Sequence, residues 1–190
     1  MLGRFVHDPS GKLLKTFSRI AEYFVKNQDF KLVFGTPDIE LMDLEFYGHS
    51  DSDWGGSIDD RKSTGAYIFL LLGAAIRRKM ELSQRACLSS HKAEYCALSE
   101  ATKEALNLRM LMQQLGFEST KPTTIFCDNK GAITMGLHPS NRPATRHIDM
   151  RKYFCRQHVE LDNVTTLNKK TVSGSARTVT ETATACATVL

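Results

Sequence analysis

The stretch Leu88-Ser89-Ser90-His91-Lys92-Ala93-Glu94-Tyr95-Cys96-Ala97-Leu98-Ser99-Glu100-Ala101-Thr102-Lys103-Glu104-Ala105 decides how the chain is read. Stepping from Glu94 at helical intervals lands on Ala97, Leu98, Ala101, Ala105, Leu108 and Met112, while Lys92 and Lys103 fall opposite. Ser89 or Ser90 can accept hydrogen bonds from the free amides of a first turn, and Gly116 can close the last one. The spacing therefore predicts one long helix ending near Leu115, with the Glu94 carboxylate facing inward. Two explanations stay open for that carboxylate. A buried charge needs a pairing cation, a proton or a metal; alternatively, Glu94 only complements the positive helix start from its first turn.

Outward from this helix the pattern changes to strands. Residues 44–50, 64–72 and 74–80 suit extended chain, the last two joined tightly around Gly73, and Gly55-Gly56 with Asp59-Asp60-Arg61-Lys62 marks a solvated loop. After the helix, Pro122 precedes a short strand at 123–128, and Asn129 can cap a helix over Lys130–Leu137. A loop with Pro139 and Pro143 leads to a basic helix at 147–159 and a fifth strand beginning near Leu161. The expected fold is α/β and three-layered: a five-stranded mixed sheet, three antiparallel strands then two parallel additions, with the Glu94 helix on one face.

Asp51 and Asp128 each end a predicted strand that is otherwise apolar or small. In open α/β sheets, such strand ends border the crevice where ligands bind. Singly, Asp128 reads as a turn or cap residue, and Asp53, Asp59 and Asp60 as solvated charges. Together, Asp51, Glu94 and Asp128 offer three oxygen ligands, which suit Mg²⁺ or Mn²⁺. Two such ions about 3.5–4 Å apart serve phosphodiester hydrolysis by in-line displacement. No Gly-x-Ser-x-Gly turn accompanies His49 or His91, and no Gly-rich phosphate loop occurs, so serine hydrolase and nucleotide-loop chemistries are set aside.

Composition agrees with a globular fold. The 190 residues are 42% apolar, enough for one domain with appendages, and the net charge of +4 is permissive toward an anionic partner without demanding one. Five cysteines, at 87, 96, 127, 155 and 186, form no C-x-x-C pair and suggest neither a disulfide framework nor a zinc site. The longest apolar run, 66–76, is too short for a bilayer, and the start carries charges and Pro9 in place of a signal sequence. Expectation is therefore no membrane and an intracellular location.

Ahead of the sheet, Leu13, Phe17, Ile20 and Phe24 with Leu14, Ala21 and Val25 give one amphipathic helix, followed by the linker Gly35-Thr36-Pro37-Asp38. Beyond Lys170 the chain is rich in Thr, Ala and Ser and lacks large anchors, which reads as a frayed tail.

At these residues the chain resembles the ribonuclease H domain of Ty1/copia-type retrotransposon Pol polyproteins. The resemblance rests on Gly48-His49-Ser50-Asp51-Ser52-Asp53-Trp54-Gly55-Gly56, on Leu88 through Ala105, on Cys127-Asp128-Asn129-Lys130-Gly131-Ala132-Ile133, and on Thr145-Arg146-His147-Ile148-Asp149-Met150-Arg151. It divides the chain into 1–40, similar to the end of a reverse transcriptase region, 41–170, ribonuclease H-like, and a degenerate tail at 171–190. It implies metal ligation by Asp51, Glu94 and Asp128, Mg²⁺ or Mn²⁺ as cofactor, and cleavage of the RNA strand of an RNA·DNA hybrid. The reverse transcriptase part of the same polyprotein becomes a partner. Ser50, Ser52 and Asn129 near the acids, and Arg61 and Arg146 as phosphate partners, are the nucleic-acid candidates. Two departures stand out. Lys92 replaces an acid just before Ala-Glu-Tyr, and the stretch carrying a fourth metal-binding carboxylate is missing, so two ions are expected only if another ligand exists. A catalytically impaired remnant that keeps the fold and weak nucleic-acid binding is the alternative.

Overall fold

In the computed structural model, residues 7, 10–31, 33–35, 45–55, 62–83, 87, 89–117, 119–137 and 146–169 are described. Arg61 and the tail beyond Lys169 fall outside them, as do the side chains of residues 146–150. The chain divides into two units, Met1–Val33 and Phe34–Leu190.

In the first unit, α1 spans Gly11–Lys26. Its apolar side is open: Leu14, Phe17, Phe24 and Val25 are all exposed, and Tyr23 meets Phe24 and Phe30 edge-on at 6.1 and 6.5 Å. Helical spacing fixed this element, as its sequence indicated.

The second unit is built on a hairpin of β2 (Thr64–Leu71) and β3 (Ala74–Leu82). Leu72 and Gly73 connect them with φ of 50° and 81°, the positive values that a two-residue loop needs to match strand twist. β1 (Phe46–Asp53) pairs antiparallel with β2, from Phe46 opposite Leu71 to Asp53 opposite Thr64. Gly48 faces Phe69 across this ladder. A Cβ on Gly48 would lie 2.5 Å from the ring, so the absence of a side chain lets Phe69 sink to complete burial over β1.

The two remaining strands are parallel additions. β4 (Thr123–Cys127) runs beside β1, and β5 (Val164–Asn168) beside β4, giving the order β3-β2-β1-β4-β5. Parallel neighbours need crossovers, supplied here by α2 (Ser90–Gln114) and by α3 (Lys130–Leu137) with α4 (Arg146–Glu160). The architecture is the α/β five-stranded mixed sheet expected from the sequence, three antiparallel strands followed by two parallel additions.

α2 starts where Ser89 accepts from the Lys92 amide at 3.3 Å, and Gly116, at φ 85°, follows its end. Its small residues Ala97, Ala101 and Ala105 let it lie close against β1 and β2, and a Cβ on Gly65 would touch the Ala97 methyl at 3.4 Å. Tyr95, Leu98, Phe69, Ile125 and Val164 fill the space between helices and sheet. Burying each large side chain contributes roughly 1.5–3 kcal/mol. Arg109 then ties α2 to the entry of β4, donating to the carbonyls of Lys121 at 2.8 Å and Ser119 at 3.1 Å and to Thr123 Oγ1 at 3.2 Å. That clamp fixes the start of β4, a strand of five residues. Among the described residues, no helix is long and apolar enough to cross a membrane.

Candidate metal centre

Glu94 lies one turn into α2, and Cys127 and Asp128 stand at the tip of β4. Each offers a ligand atom within 4.8 Å of the other two. Among the described residues these three form the close set. Glu94 is only 7% exposed and Cys127 0%, whereas Asp128 is open to solvent. Parallel pairing of Cys127 with Asn168 steadies the tip, because Asn168 Nδ2 donates to the Asp128 carbonyl at 3.1 Å.

Asp51 sits inside β1, opposite Ala66, rather than past its end. It is exposed, accepts from the Ser52 amide at 2.9 Å, and does not join the close set. Its charge nevertheless reaches Glu94. Burial pushes the Glu94 carboxyl up to about 7, and the negative charges of Asp128 and then Asp51 push the same way; the Ser52 amide and Lys169 oppose them. Glu94 Oε2 is enclosed without a hydrogen-bond partner. The helix-start explanation does not account for an acid so deeply placed and so poorly compensated.

A divalent cation fits these residues. It would satisfy the bare Oε2 and relieve the repulsion among the three acids, and carboxylate oxygens are the donors hard cations prefer.

The other candidates are scattered. Ser50 is completely buried. Ser52 Oγ is likewise enclosed. Asn129 Oδ1 accepts from the Ala132 amide at 3.1 Å, the cap its position suggested. Gly131 leaves room for His91, whose ring would lie 3.2 Å from a Cβ there, so the first turns of α2 and α3 meet beside the acids. Trp54, the tryptophan of the Gly48–Gly56 stretch, is 54% exposed and pinned by its indole N–H to the Cys87 carbonyl at 2.8 Å.

Three residues at the site carried no role in the sequence. Cys127 stood in the sequence as one of five widely spaced cysteines and as the residue before Asp128, with no ligand role. Lys169 follows β5 directly and acts on both Glu94 and His49. His49 stacks on Phe126 at 5.1 Å and meets Tyr47 edge-on at 5.8 Å; burial, with Lys169 second, pushes its imidazole down to about 4.

No family model matches the chain. It is similar to the retrovirus-related Pol polyprotein from transposon TNT 1-94 of Nicotiana tabacum, 30% identical over 181 residues, which are 95% of this chain and 13% of that protein. It is also 28% identical to the corresponding polyprotein from transposon RE1 of Arabidopsis thaliana, over 95% of this chain and 12% of that one. Over nearly its whole length the chain is thus similar to segments of copia-type retrotransposon Pol polyproteins. It spans about an eighth of the length of those relatives. A solved structure of LC11-RNase H1 in complex with RNA/DNA hybrid covers 65% of this chain and 84% of itself, at 11% identity and a TM-score of 0.47.

Proposed function

We propose that the segment cleaves the RNA strand of RNA·DNA hybrids, as part of a retrotransposon polyprotein, with Asp51, Glu94 and Asp128 holding a Mg²⁺ or Mn²⁺ ion. One observation carries this reading: a carboxylate more than nine-tenths buried, with an unpartnered oxygen, beside a second carboxylate at a strand tip. Its relationship to Pol polyproteins supports the substrate class. When bound, a hard divalent cation supplies positive charge for phosphodiester hydrolysis.

The chain's own residues do the rest. Glu94, held by α2, fixes the inner end of the site, and Asp128, exposed, faces incoming phosphate. Asp51, on β1, adds a third negative charge within electrostatic reach. Near pH 7 Glu94 is divided between its two protonation states, and loading the site favours the ionised one. Asn129, Arg61 and Arg146 are the proposed sugar and phosphate contacts, within a ribonuclease H-like region at 41–170 that follows a reverse transcriptase end at 1–40.

A second reading has its own observation. Asp51 stands outside the close set, and Lys169 brings a positive charge toward Glu94, both of which weaken cation binding. That favours an impaired remnant retaining the fold and weak nucleic-acid binding. Purified protein with a labelled hybrid and Mg²⁺ separates the two. Turnover lost in Asp51→Asn, Glu94→Gln and Asp128→Asn supports the nuclease; hybrid binding without turnover in the wild type supports the remnant.

A further inference from the structure

The third donor in the close set is sulfur, and hard-cation chemistry has no use for it. Cys127 Sγ lies within 4.8 Å of ligand oxygens of both Glu94 and Asp128, yet Mg²⁺ selects oxygen donors and ignores thiols. Its polar contacts among the described residues are weak, a long one to the Asn129 carbonyl at 3.9 Å and an interaction with the Ser50 side chain, and neither is strong enough to hold the sulfur against a metal. Glu94 Oε2 is the independent sign that a cation belongs here: it is enclosed, unpartnered and part of a side chain 7% exposed. Two carboxylate oxygens and one thiolate make three protein ligands with a fourth position left for water, the donor count and softness that Zn²⁺ accepts. An ion can enter from the solvent side, where Asp128 is exposed, and reach a sulfur that is itself fully covered.

We infer that Cys127, with Glu94 and Asp128, makes this centre a binding site for thiophilic divalent ions such as Zn²⁺ and Cd²⁺, which displace the hard cation and switch the site off. The inference rests on the reading of Glu94 and Asp128 as cation ligands. It adds an inhibitory ion to that reading and a residue that discriminates between ion classes. Binding converts the thiol to a metal-held thiolate with release of one proton to solvent; no oxidant or reductant takes part.

The test uses the full chain with Cys87, Cys96 and Cys186 changed to Ser, so that the sulfur signal comes from few sources. Cd²⁺ alone is titrated and the ultraviolet cadmium–thiolate charge-transfer band recorded. The expected result is a band saturating at one ion per chain, absent in Cys127→Ser and in Glu94→Gln, with Zn²⁺ affinity falling at least about tenfold in both. A band or a Zn²⁺ affinity unchanged in Cys127→Ser overturns the inference. If Cys127→Ser fails to fold, competition on the unaltered Cys127 protein decides instead: Zn²⁺ should release bound Mn²⁺ one for one, seen by electron paramagnetic resonance, and simultaneous binding of both ions overturns it. These readouts are independent of turnover. A protein that shows the cadmium band but cleaves no hybrid with Mg²⁺ refutes the nuclease reading and leaves this one standing; Mg²⁺-dependent cleavage without the band does the reverse.

Discussion

Glu94 and Glu104 share one helix and differ in everything around them. They lie ten residues apart, about 15 Å along the axis of α2. Glu104 is met by the fold itself: Arg77 Nε on β3 stands 3.0 Å from Oε1, and the Tyr67 hydroxyl on β2 donates to Oε2 at 2.8 Å. Burial, with the Glu104 hydrogen bond next, holds the Tyr67 phenol up at about 12. Glu94 has an unpartnered oxygen and two further acids for neighbours. Where an acid serves cohesion the chain supplies the cation; where it is left bare among acids, the cation must come from outside.

The largest effect comes from exchanging the two fates. Glu94→Gln should lower Mg²⁺-dependent hybrid cleavage by about a hundredfold or more, yet raise cation-free stability at pH 8 by up to about 3 kcal/mol, since a carboxyl moved from 4.5 to about 7 is costly to ionise in the fold. Glu104→Gln should do the opposite, leaving cleavage intact and costing about 1 kcal/mol, the half-exposed Arg77 limiting the loss. Urea unfolding and turnover on the same preparations check both. If Glu104→Gln abolished cleavage while Glu94→Gln destabilised the fold, the contrast would be broken.

Next in size is Asp128→Asn. Cation affinity should drop at least about tenfold, and Glu94 should titrate closer to its ordinary range, because the Asp128 charge is the second cause of its displacement. Carbon NMR of the Glu94 carboxyl follows the second part.

Two buried groups set the pH dependence, with opposite signs. The folded state holds the Glu94 proton that the unfolded chain releases, so stability falls as pH rises from 4.5 to about 7. His49 is kept neutral in the fold, so stability falls as pH drops from 6.5 to about 4. Over the shared window these slopes offset one another. Glu94→Gln should therefore uncover an acid-side loss from His49, and His49→Phe an alkaline-side loss from Glu94, both read from urea midpoints without divalent ions. Flat profiles in both variants would contradict the assignment.

The smallest effect belongs to Lys169→Ala. Removing that charge should tighten Mg²⁺ binding severalfold at low salt, a gain that fades as salt screens it. Calorimetry at two ionic strengths measures it.

How much of this was legible beforehand depends on sequence distance. The Ser89 and Asn129 caps, the Gly73 turn and the inward face of Glu94 each follow from a few neighbouring residues, and the structure contains them all. β1 proved longer than its expected 44–50, because Gly65 and Ala66 allow pairing to continue through Asp53. Asp51 thereby became a strand residue. Cys127 and Lys169 gained their positions from register: β4 against β1, β5 against β4, and α2 across them. No local pattern announces a thiol beside two acids when its partners lie on different elements.

The central claim is that Glu94 waits for a divalent cation. Titrating the full chain with Mn²⁺ and counting bound ions by electron paramagnetic resonance, in the wild type and in Glu94→Gln, tests it most directly. The account predicts an ion bound in the wild type and lost in the variant; equal binding in both would contradict it.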